Sequence, residues 1–225
     1  MKLHFLGTGA ADWKLADKER EDYRFFSSAL IDGVLLIDSG PDVFVSAKKY
    51  GIDLSGIKYV IRTHSHSDHF CEETLNKLVD NGAQFIEFCE NEQKCFGEYK
   101  VTSYKANHGT CEDAVHFIIE KNGKRIFYGL DSCWLMYDEV CAIKENGVDI
   151  AVIDATIGNV KGDYRVFEHN NLEMVRIMKD SLKDNIKKFI ISHMAYTLHD
   201  EHSVLAEQMS KENIITAFDN FMIEI

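Results

Sequence analysis

The sequence contains a single proline and has no proline-rich or glycine- and serine-rich tract. It also has no internal repeat. Collagen-like, low-complexity and solenoid proteins are therefore excluded, because each requires one of these patterns. Since nothing in the composition marks a linker, the sequence predicts a single domain over residues 1–225.

Long apolar runs and an excess of basic residues are absent as well. No stretch approaches the roughly 18 apolar residues of a membrane span, and the N-terminal apolar run is too short for a signal peptide. We therefore expect a cytoplasmic protein without a membrane partner. Lys and Arg number 25 against 37 Asp and Glu, a net charge of −12, which argues against a broad nucleic-acid-binding surface.

Paired cysteine motifs are also missing. The chain has 6 cysteines, but none forms a C-x-x-C pair. A zinc ribbon and a thioredoxin-type site are therefore excluded. In a cytoplasmic protein we expect these cysteines to be reduced and to pack as small apolar side chains.

The remaining composition is that of an ordinary globular protein, with 45% hydrophobic and 28% charged residues. Short β-rich runs alternate with amphipathic helical stretches, and Asp32-Gly33 and Asn122-Gly123 mark hairpins. Residues 214–225 read as one closing β segment. The pattern predicts an α/β protein with two sheets packed face to face and helices outside, rather than one doubly wound sheet.

One segment carries most of the chemistry, and it reads Thr63-His64-Ser65-His66-Ser67-Asp68-His69 after a β-rich run. His64 and His66 lie two residues apart, so on an extended segment they point to the same side. Asp68 and His69 follow a turn and can reach a second, nearby point. Imidazole and carboxylate groups bind Zn²⁺, Mn²⁺ and Fe²⁺, so the segment predicts a site for two cations; a surface patch of histidines is the alternative.

Two metal ions need more ligands than this segment supplies. His108, Asp131 and His193 each follow a predicted strand, at the point where the strand gives way to a loop. A single residue of this kind would usually be structural. Because loops at strand ends converge, three of them favour completion of the same site.

This order of residues, with Leu6-Gly7-Thr8-Gly9 and Leu36-Ile37-Asp38-Ser39-Gly40 ahead of it, resembles the metallo-β-lactamase-fold hydrolases. The resemblance covers nearly the whole chain and implies an αββα four-layer sandwich. It implies a dinuclear centre of Zn²⁺ or Mn²⁺, with Fe²⁺ also compatible, and a bridging hydroxide as nucleophile. It assigns His64, His66 and His108 to one metal ion, Asp68, His69 and His193 to the other, and Asp131 to both.

The same resemblance suggests roles for two further carboxylates. Asp68, besides being a ligand, is predicted to be a catalytic residue. Asp38 is predicted to orient a ligand, with a turn or capping role as the alternative.

His169 narrows the resemblance to one branch of the superfamily. It precedes a predicted helix and lies between Asp131 and His193. A histidine in this place is similar to the general acid of the phosphodiesterase branch, which includes tRNase Z and the phosphoribosyl cyclic phosphodiesterases. The segment Asp154-Ala155-Thr156 resembles that branch as well. The alternative for His169 is a helix-terminal residue without a catalytic role.

The chain also departs from these relatives. Residues 156–168 are too few for the tRNA-gripping arm of tRNase Z, so tRNA is not expected as a substrate. No cysteine precedes Cys71, so the structural zinc of the cyclic phosphodiesterases is not expected. We expect hydrolysis of a small phosphodiester, such as a cyclic nucleotide or cyclic sugar phosphate.

Two other functions stay open, a lactone or thioester hydrolase on the same metal site and a non-catalytic metal-binding module. The sequence also leaves open a homodimer, and whether His199 and His202 line the pocket.

Overall fold

The chain folds into two β-sheets with helices on their outer faces, as seen in a computed structural model that describes residues 1–17 and 20–225. The first sheet has the strand order β13-β1-β2-β3-β4-β5. Its strands are β1 (Lys2–Gly7), β2 (Ser28–Ile31), β3 (Leu35–Ile37), β4 (Tyr59–Ile61), β5 (Gln84–Phe85) and β13 (Met222–Glu224).

The second sheet is larger and has the strand order β12-β11-β10-β9-β8-β7-β6. Its strands are β6 (Gln93–Phe96), β7 (Tyr99–Lys105), β8 (Val115–Lys121), β9 (Lys124–Gly129), β10 (Val148–Asp154), β11 (Ile186–Ser192) and β12 (Ile214–Thr216). The α-helices are α1 (Val43–Tyr50), α2 (Glu72–Asp80), α3 (Tyr137–Asn146), α4 (Leu172–Leu182) and α5 (His202–Ser210). Short 3-10 helices cover Leu15–Asp17 and Tyr164–Phe167.

Alternation of side chains along the strands produces the layers. In β10, Ile150 and Val152 belong to the core between the two sheets, whereas Ala151 and Ile153 pack on the outer face with residues of the helices. Both faces of such a strand are buried, which explains its uninterrupted apolar sequence.

The helices cover both outer faces. Residues of α1 and α2 pack with Leu36 and Val60 on the first sheet. Residues of α3, α4 and α5 pack on the second sheet. This arrangement confirms the predicted αββα sandwich.

Two expectations about local structure are wrong. Residues 214–225 form two strands in different sheets, because β12 pairs with β11 and β13 pairs with β1. Asn220, with φ of 65°, lies in the turn between them. Of the six cysteines, all free, Cys89, Cys95 and Cys141 are exposed, so burial does not account for these three.

Strand direction brings several loops to one edge. Strands β9, β10 and β11 are parallel, and β7 has the same direction because β8 is antiparallel to both β7 and β9. Strands β3 and β4 are parallel in the other sheet. Within the described residues, no helix is long and apolar enough to span a membrane.

Candidate metal centre

Loops that follow the strands carry the residues predicted for the metal site. The His64–His69 segment follows β4, His108 follows β7, Asp131 follows β9 and His193 follows β11. Asp131 and His193 have φ of 56° and 61°, a left-handed conformation that costs a non-glycine residue about 1–2 kcal/mol. Strained backbone of this kind is concentrated at functional sites.

A glycine allows the loop that follows β3 to approach the His64–His69 segment. A Cβ atom built on Gly40 would lie 2.3 Å from the backbone oxygen of Asp68. The loop that follows β3 therefore contacts the histidine segment directly, and only a residue without a side chain fits there.

The structure brings all seven predicted ligands together in two groups. Within each group, the nitrogen and oxygen atoms that could bind a cation lie within 4.8 Å of one another. One group is His64, His66 and His108, and the other is Asp68, His69, Asp131 and His193. His108 Nε2 lies 3.1 Å from His66 Nδ1, and His69 Nε2 lies 3.2 Å from His193 Nε2.

Hydrogen bonds outside the second group fix which ring nitrogens face inward. His69 Nδ1 lies 2.8 Å from Asp38 Oδ2, so it carries the proton and donates it to this carboxylate. His193 Nδ1 lies 2.7 Å from Thr156 Oγ1, whose own hydroxyl donates to Asp154 Oδ2 at 2.9 Å. Nδ1 of His193 is therefore also a donor, and both Nε2 atoms turn lone pairs toward the same point. This arrangement is typical of histidines that bind a metal ion.

In the first group, His64 shows the same orientation. Thr63 donates its hydroxyl to Asp38, and its oxygen lies 3.0 Å from His64 Nδ1. His64 Nε2 is buried and has no hydrogen-bond partner in the described residues. A buried polar atom without a partner costs about 1–3 kcal/mol, so this nitrogen is better explained as a metal ligand.

Asp131 lies between the two groups. Its Oδ2 is 2.9 Å from His69 Nε2 and 3.2 Å from His193 Nε2, yet it forms a hydrogen bond of good geometry with neither. Its Oδ1 is 4.0 Å from His64 Nε2. Such contacts are expected of a carboxylate that would bind the same cations as the neighbouring imidazoles. They fit the bridging position predicted for Asp131.

The buried charges also fit cations. Burial alone would raise the pKa of Asp131, but the neighbouring imidazoles of His193 and His69 outweigh it and hold that pKa well below its usual value. Burial would lower the pKa of His69, yet Asp131, Asp68 and Asp38 outweigh it and raise that pKa. Three carboxylates thus concentrate negative charge at one buried point, which suits a divalent cation.

Asp38 holds several parts of the site at once. Besides His69, its carboxylate accepts the backbone N–H of Thr63 at 2.7 Å and the hydroxyl of the same residue. It therefore lies where a residue that orients a ligand is expected.

His169 lies beside the seven residues. Its Nδ1 is 3.0 Å from Asp154 Oδ2, and its ring stacks on that of His193 with centroids 5.5 Å apart. Burial lowers its pKa, but the Asp154 carboxylate outweighs this effect and raises it. The helix α4 starts at Leu172 and is capped by the side chain of Asn171, so His169 precedes the cap and is not part of it.

A cavity of about 180 Å³ opens on the centre. The predicted residues that line it are His66, Asp68, His108, Asp131, His169 and His193. Charged residues that the sequence analysis did not select, Asp12, Arg165 and Glu168, line it too. His199 and His202 line other cavities, so among the described residues they do not form the wall of this one.

Asp154 and Thr156 were noted in the sequence only as part of a similar segment. The structure gives both a place, because Asp154 accepts hydrogen bonds from the backbone of Asp131 and from Thr156. The position of Asp154 at the end of a buried strand is the signal that could have identified it.

Comparison with known proteins supports this fold. The model of the metallo-beta-lactamase superfamily matches residues 27–72, and no curated protein sequence matches the chain. Zn²⁺-bound PqqB from Methylobacterium extorquens is similar with a TM-score of 0.76 and 17% identity over 100% of both chains. A diphosphatase of the PhnP family has a TM-score of 0.72 and 19% identity, over 100% of this chain and 97% of that one. The short form of human tRNase Z has a TM-score of 0.73 and 15% identity, over 100% of this chain and 99% of that one. The chain is therefore a protein of the metallo-β-lactamase fold.

Proposed function

We propose that the protein is a metal-dependent hydrolase of small phosphodiesters, with His169 as general acid. The observation that carries this proposal is an imidazole beyond the seven predicted ligands. His169 lines the same cavity as Asp131 and His193, and its Nδ1 is held by Asp154.

The seven residues would hold two divalent cations, Zn²⁺ or Mn²⁺. His64, His66 and His108 suit one, Asp68, His69 and His193 suit the other, and Asp131 contacts both groups. When bound, such a pair lowers the pKa of water toward neutrality and stabilises charge on phosphoryl oxygens.

His169 has the geometry of a proton donor. Because Nδ1 donates to Asp154, the transferable proton is on Nε2, which has no hydrogen-bond partner among the described residues. An alkoxide that departs from phosphorus needs such a proton, and a positioned imidazole typically contributes 10²–10⁴-fold to the rate. Asp154 also accepts the backbone N–H of Asp131 at 3.1 Å, so one carboxylate positions the acid relative to the predicted bridging ligand.

Size and charge favour a small substrate. The cavity holds about 180 Å³, and the chain has a net charge of −12. A tRNA, which needs an extended basic surface, is therefore not proposed. A diphosphatase and a tRNase are among the similar structures, and both names describe cleavage at phosphorus.

The test compares two leaving groups on the same phosphodiester. His169→Ala should reduce kcat/KM about 100-fold or more for ethyl phenyl phosphate, because phenolate is a poor leaving group that needs a proton. The loss should be much smaller for ethyl p-nitrophenyl phosphate, whose leaving group departs without one. His4→Ala replaces a half-buried histidine of β1 that lines a different cavity; it is the control and should leave both rates unchanged.

Metal analysis of each variant completes the experiment. His169→Ala should retain the metal content of the wild type, since the proposal gives His169 no ligand role. Loss of a cation would make His169 a ligand, and equal losses for both diesters would contradict general acid catalysis. Turnover of a thiolactone but of neither diester would favour the acyl hydrolase, and no turnover at full metal loading would favour a non-catalytic module.

A further inference from the structure

One cation stands out in the wall of the cavity. Arg165 is the only lysine or arginine among the described residues that line it. The other charged groups there, apart from the histidines, are carboxylates, namely Asp12, Asp68, Asp131 and Glu168. A single guanidinium in such a wall is a place where one anionic group could bind.

The guanidinium of Arg165 is held in place before any ligand binds. Its Nε and Nη2 donate to the two carboxylate oxygens of Asp163 at 2.9 and 2.7 Å. It also lies over the ring of Tyr164, 5.9 Å from the centroid. The side chain is 31% exposed, and within the described part of the chain Nη1 has no partner. The Nη1 side of the planar guanidinium is therefore fixed in position and open to bind an acceptor.

The same short element sets the position of Arg165 relative to His169. Asp163 caps the 3-10 helix Tyr164–Phe167 by accepting the backbone N–H of Arg165 at 2.9 Å. The backbone carbonyl of Arg165 accepts the N–H groups of Glu168 and His169, both at 2.8 Å. A group bound by Arg165 would therefore lie at a set distance from the leaving group that His169 protonates.

The carboxylates restrict where an anion can bind. Asp12 accepts backbone N–H groups from Tyr196 and Thr197 at 2.8 and 3.3 Å, so it is a fixed negative charge of the wall. Glu168 Oε2 lies 3.4 Å from the hydroxyl of Thr110 on another part of the wall. Glu168 would repel an anion placed on that part of the wall, which favours the position at Arg165.

We infer that Arg165 binds a second anionic group of the substrate, a carboxylate or a phosphate on the side of the diester that does not leave. The substrate class is then a phosphodiester with an anionic tail. This inference rests on the proposed function for the identity of the diester group. The anion-binding role of Arg165 itself can be measured separately.

The test uses a matched pair of substrates with the same leaving group. Propyl p-nitrophenyl phosphate and 2-carboxyethyl p-nitrophenyl phosphate differ only in the charge at the end of the tail. The wild type should prefer the charged tail, and Arg165→Gln should reduce that ratio of kcat/KM values about tenfold or more. Arg165→Lys should restore the ratio in part, since Lys keeps the charge but lacks the planar set of N–H donors. Lys161→Gln, an exposed cation of the same loop outside the cavity wall, should leave the ratio unchanged.

A binding measurement separates the two proposals. Calorimetric titration of the metal-loaded protein with methyl 2-carboxyethyl phosphate and methyl propyl phosphate should give a tighter Kd for the first, and Arg165→Gln should remove the difference. If neither chromogenic diester is hydrolysed but this difference is present, the proposed function fails and the role of Arg165 stands. If both are hydrolysed with equal kcat/KM, or if Arg165→Gln keeps the preference, the inference is wrong. A 2-phosphonoethyl analogue of the tail distinguishes a phosphate-selective from a carboxylate-selective site.

Discussion

At the scale of single residues, the centre depends on side chains that orient the predicted ligands, and Thr156 is an example. Its hydroxyl donates to Asp154 Oδ2, and its oxygen accepts from His193 Nδ1 at 2.7 Å. A threonine thereby selects the ring nitrogen with which His193 faces the predicted cation, and holds Asp154 against His169.

Thr156→Val tests this role with almost no change of shape. The loss of the hydroxyl leaves His193 Nδ1 only the more distant Asp154 Oδ2, 3.4 Å away, so the ring is less well oriented. Metal affinity should fall about 10- to 100-fold, as is typical when the partner of a ligating histidine is removed. Competition with a chromogenic chelator measures this affinity.

Thr216→Val is the matched control for this substitution. Thr216 is a buried threonine of β12 whose hydroxyl oxygen has no partner within the described residues. Its replacement should leave metal affinity unchanged. Equal metal affinity in Thr156→Val and wild type would show that the hydroxyl does not orient His193.

The residues of the centre could be predicted from sequence because of their positions relative to the strands. His108, Asp131 and His193 each follow a strand, and strand ends in one edge of a sandwich converge. Arg165 could not be selected, because its place in the wall depends on the path of an irregular segment. Neither could the contact of Thr156 with His193, since it joins residues distant in sequence.

At the scale of elements, a buried ion pair connects strand β8 to helix α3 beneath the centre. His116 Nδ1 lies 2.5 Å from Glu139 Oε1, and both side chains are fully buried. His116 Nε2 lies 3.1 Å from the backbone oxygen of Leu130, the residue before Asp131. Glu139 Oε2 accepts the backbone N–H of Met136 at 2.6 Å, at the start of the helix.

Removal of this carboxylate should destabilise the protein strongly. In Glu139→Leu, the buried His116 and the N–H of Met136 lose their acceptor, so the free energy of unfolding should fall by about 3–5 kcal/mol. In Glu139→Gln, the amide oxygen can accept the N–H of Met136 and the amide N–H can donate to Nδ1 of a neutral His116. This variant should therefore recover most of the lost free energy of unfolding. Urea unfolding measures these values. Glu145→Leu on the exposed side of the same helix should stay within about 0.5 kcal/mol of wild type.

The pH dependence of the same variants has a definite sign. Burial lowers the pKa of His116, but Glu139 outweighs it, and the net shift is upward. The stability from this charge is complete below the usual histidine pKa of about 6.5 and is lost as pH rises through the raised value. The difference in free energy of unfolding between wild type and Glu139→Gln should therefore decrease as the pH rises. A Glu139→Leu variant as stable as wild type would contradict a structural role for the pair.

Elements with local signals were predictable, and those that depend on distant contacts were not. The hairpins at Asp32-Gly33 and Asn122-Gly123 form because their turn residues adopt positive φ without help from the rest of the chain. Asp219-Asn220 interrupts the β-rich segment 214–225, but nothing local shows that its two halves belong to different sheets. Asp219 in the connecting turn accepts the Thr8 hydroxyl and the backbone N–H of Phe25, contacts that sequence alone does not reveal.

At the scale of the whole molecule, the centre joins the two sheets at one edge. The His64–His69 segment comes from the first sheet, whereas His108, Asp131 and His193 come from the second. Cations held by both sets would therefore cross-link the sandwich. Because an unfolded chain cannot assemble these seven ligands, binding of a cation should stabilise the folded protein.

Chelation should for this reason lower the stability of the entire protein. At a free cation concentration of about 100 times Kd, each site contributes about 2.7 kcal/mol. For a chain of this length, about 1 kcal/mol shifts Tm by roughly 2–4 °C, so removal of the metal should lower Tm by about 5–10 °C per site. Calorimetry of metal-loaded and chelated protein measures the shift, and re-addition of Zn²⁺ or Mn²⁺ should reverse it. Asp131→Asn, which removes the carboxylate between the groups, should show a smaller shift. A Tm that does not respond to the chelator, or that responds equally in Asp131→Asn, would mean that the seven residues do not hold cations between the sheets.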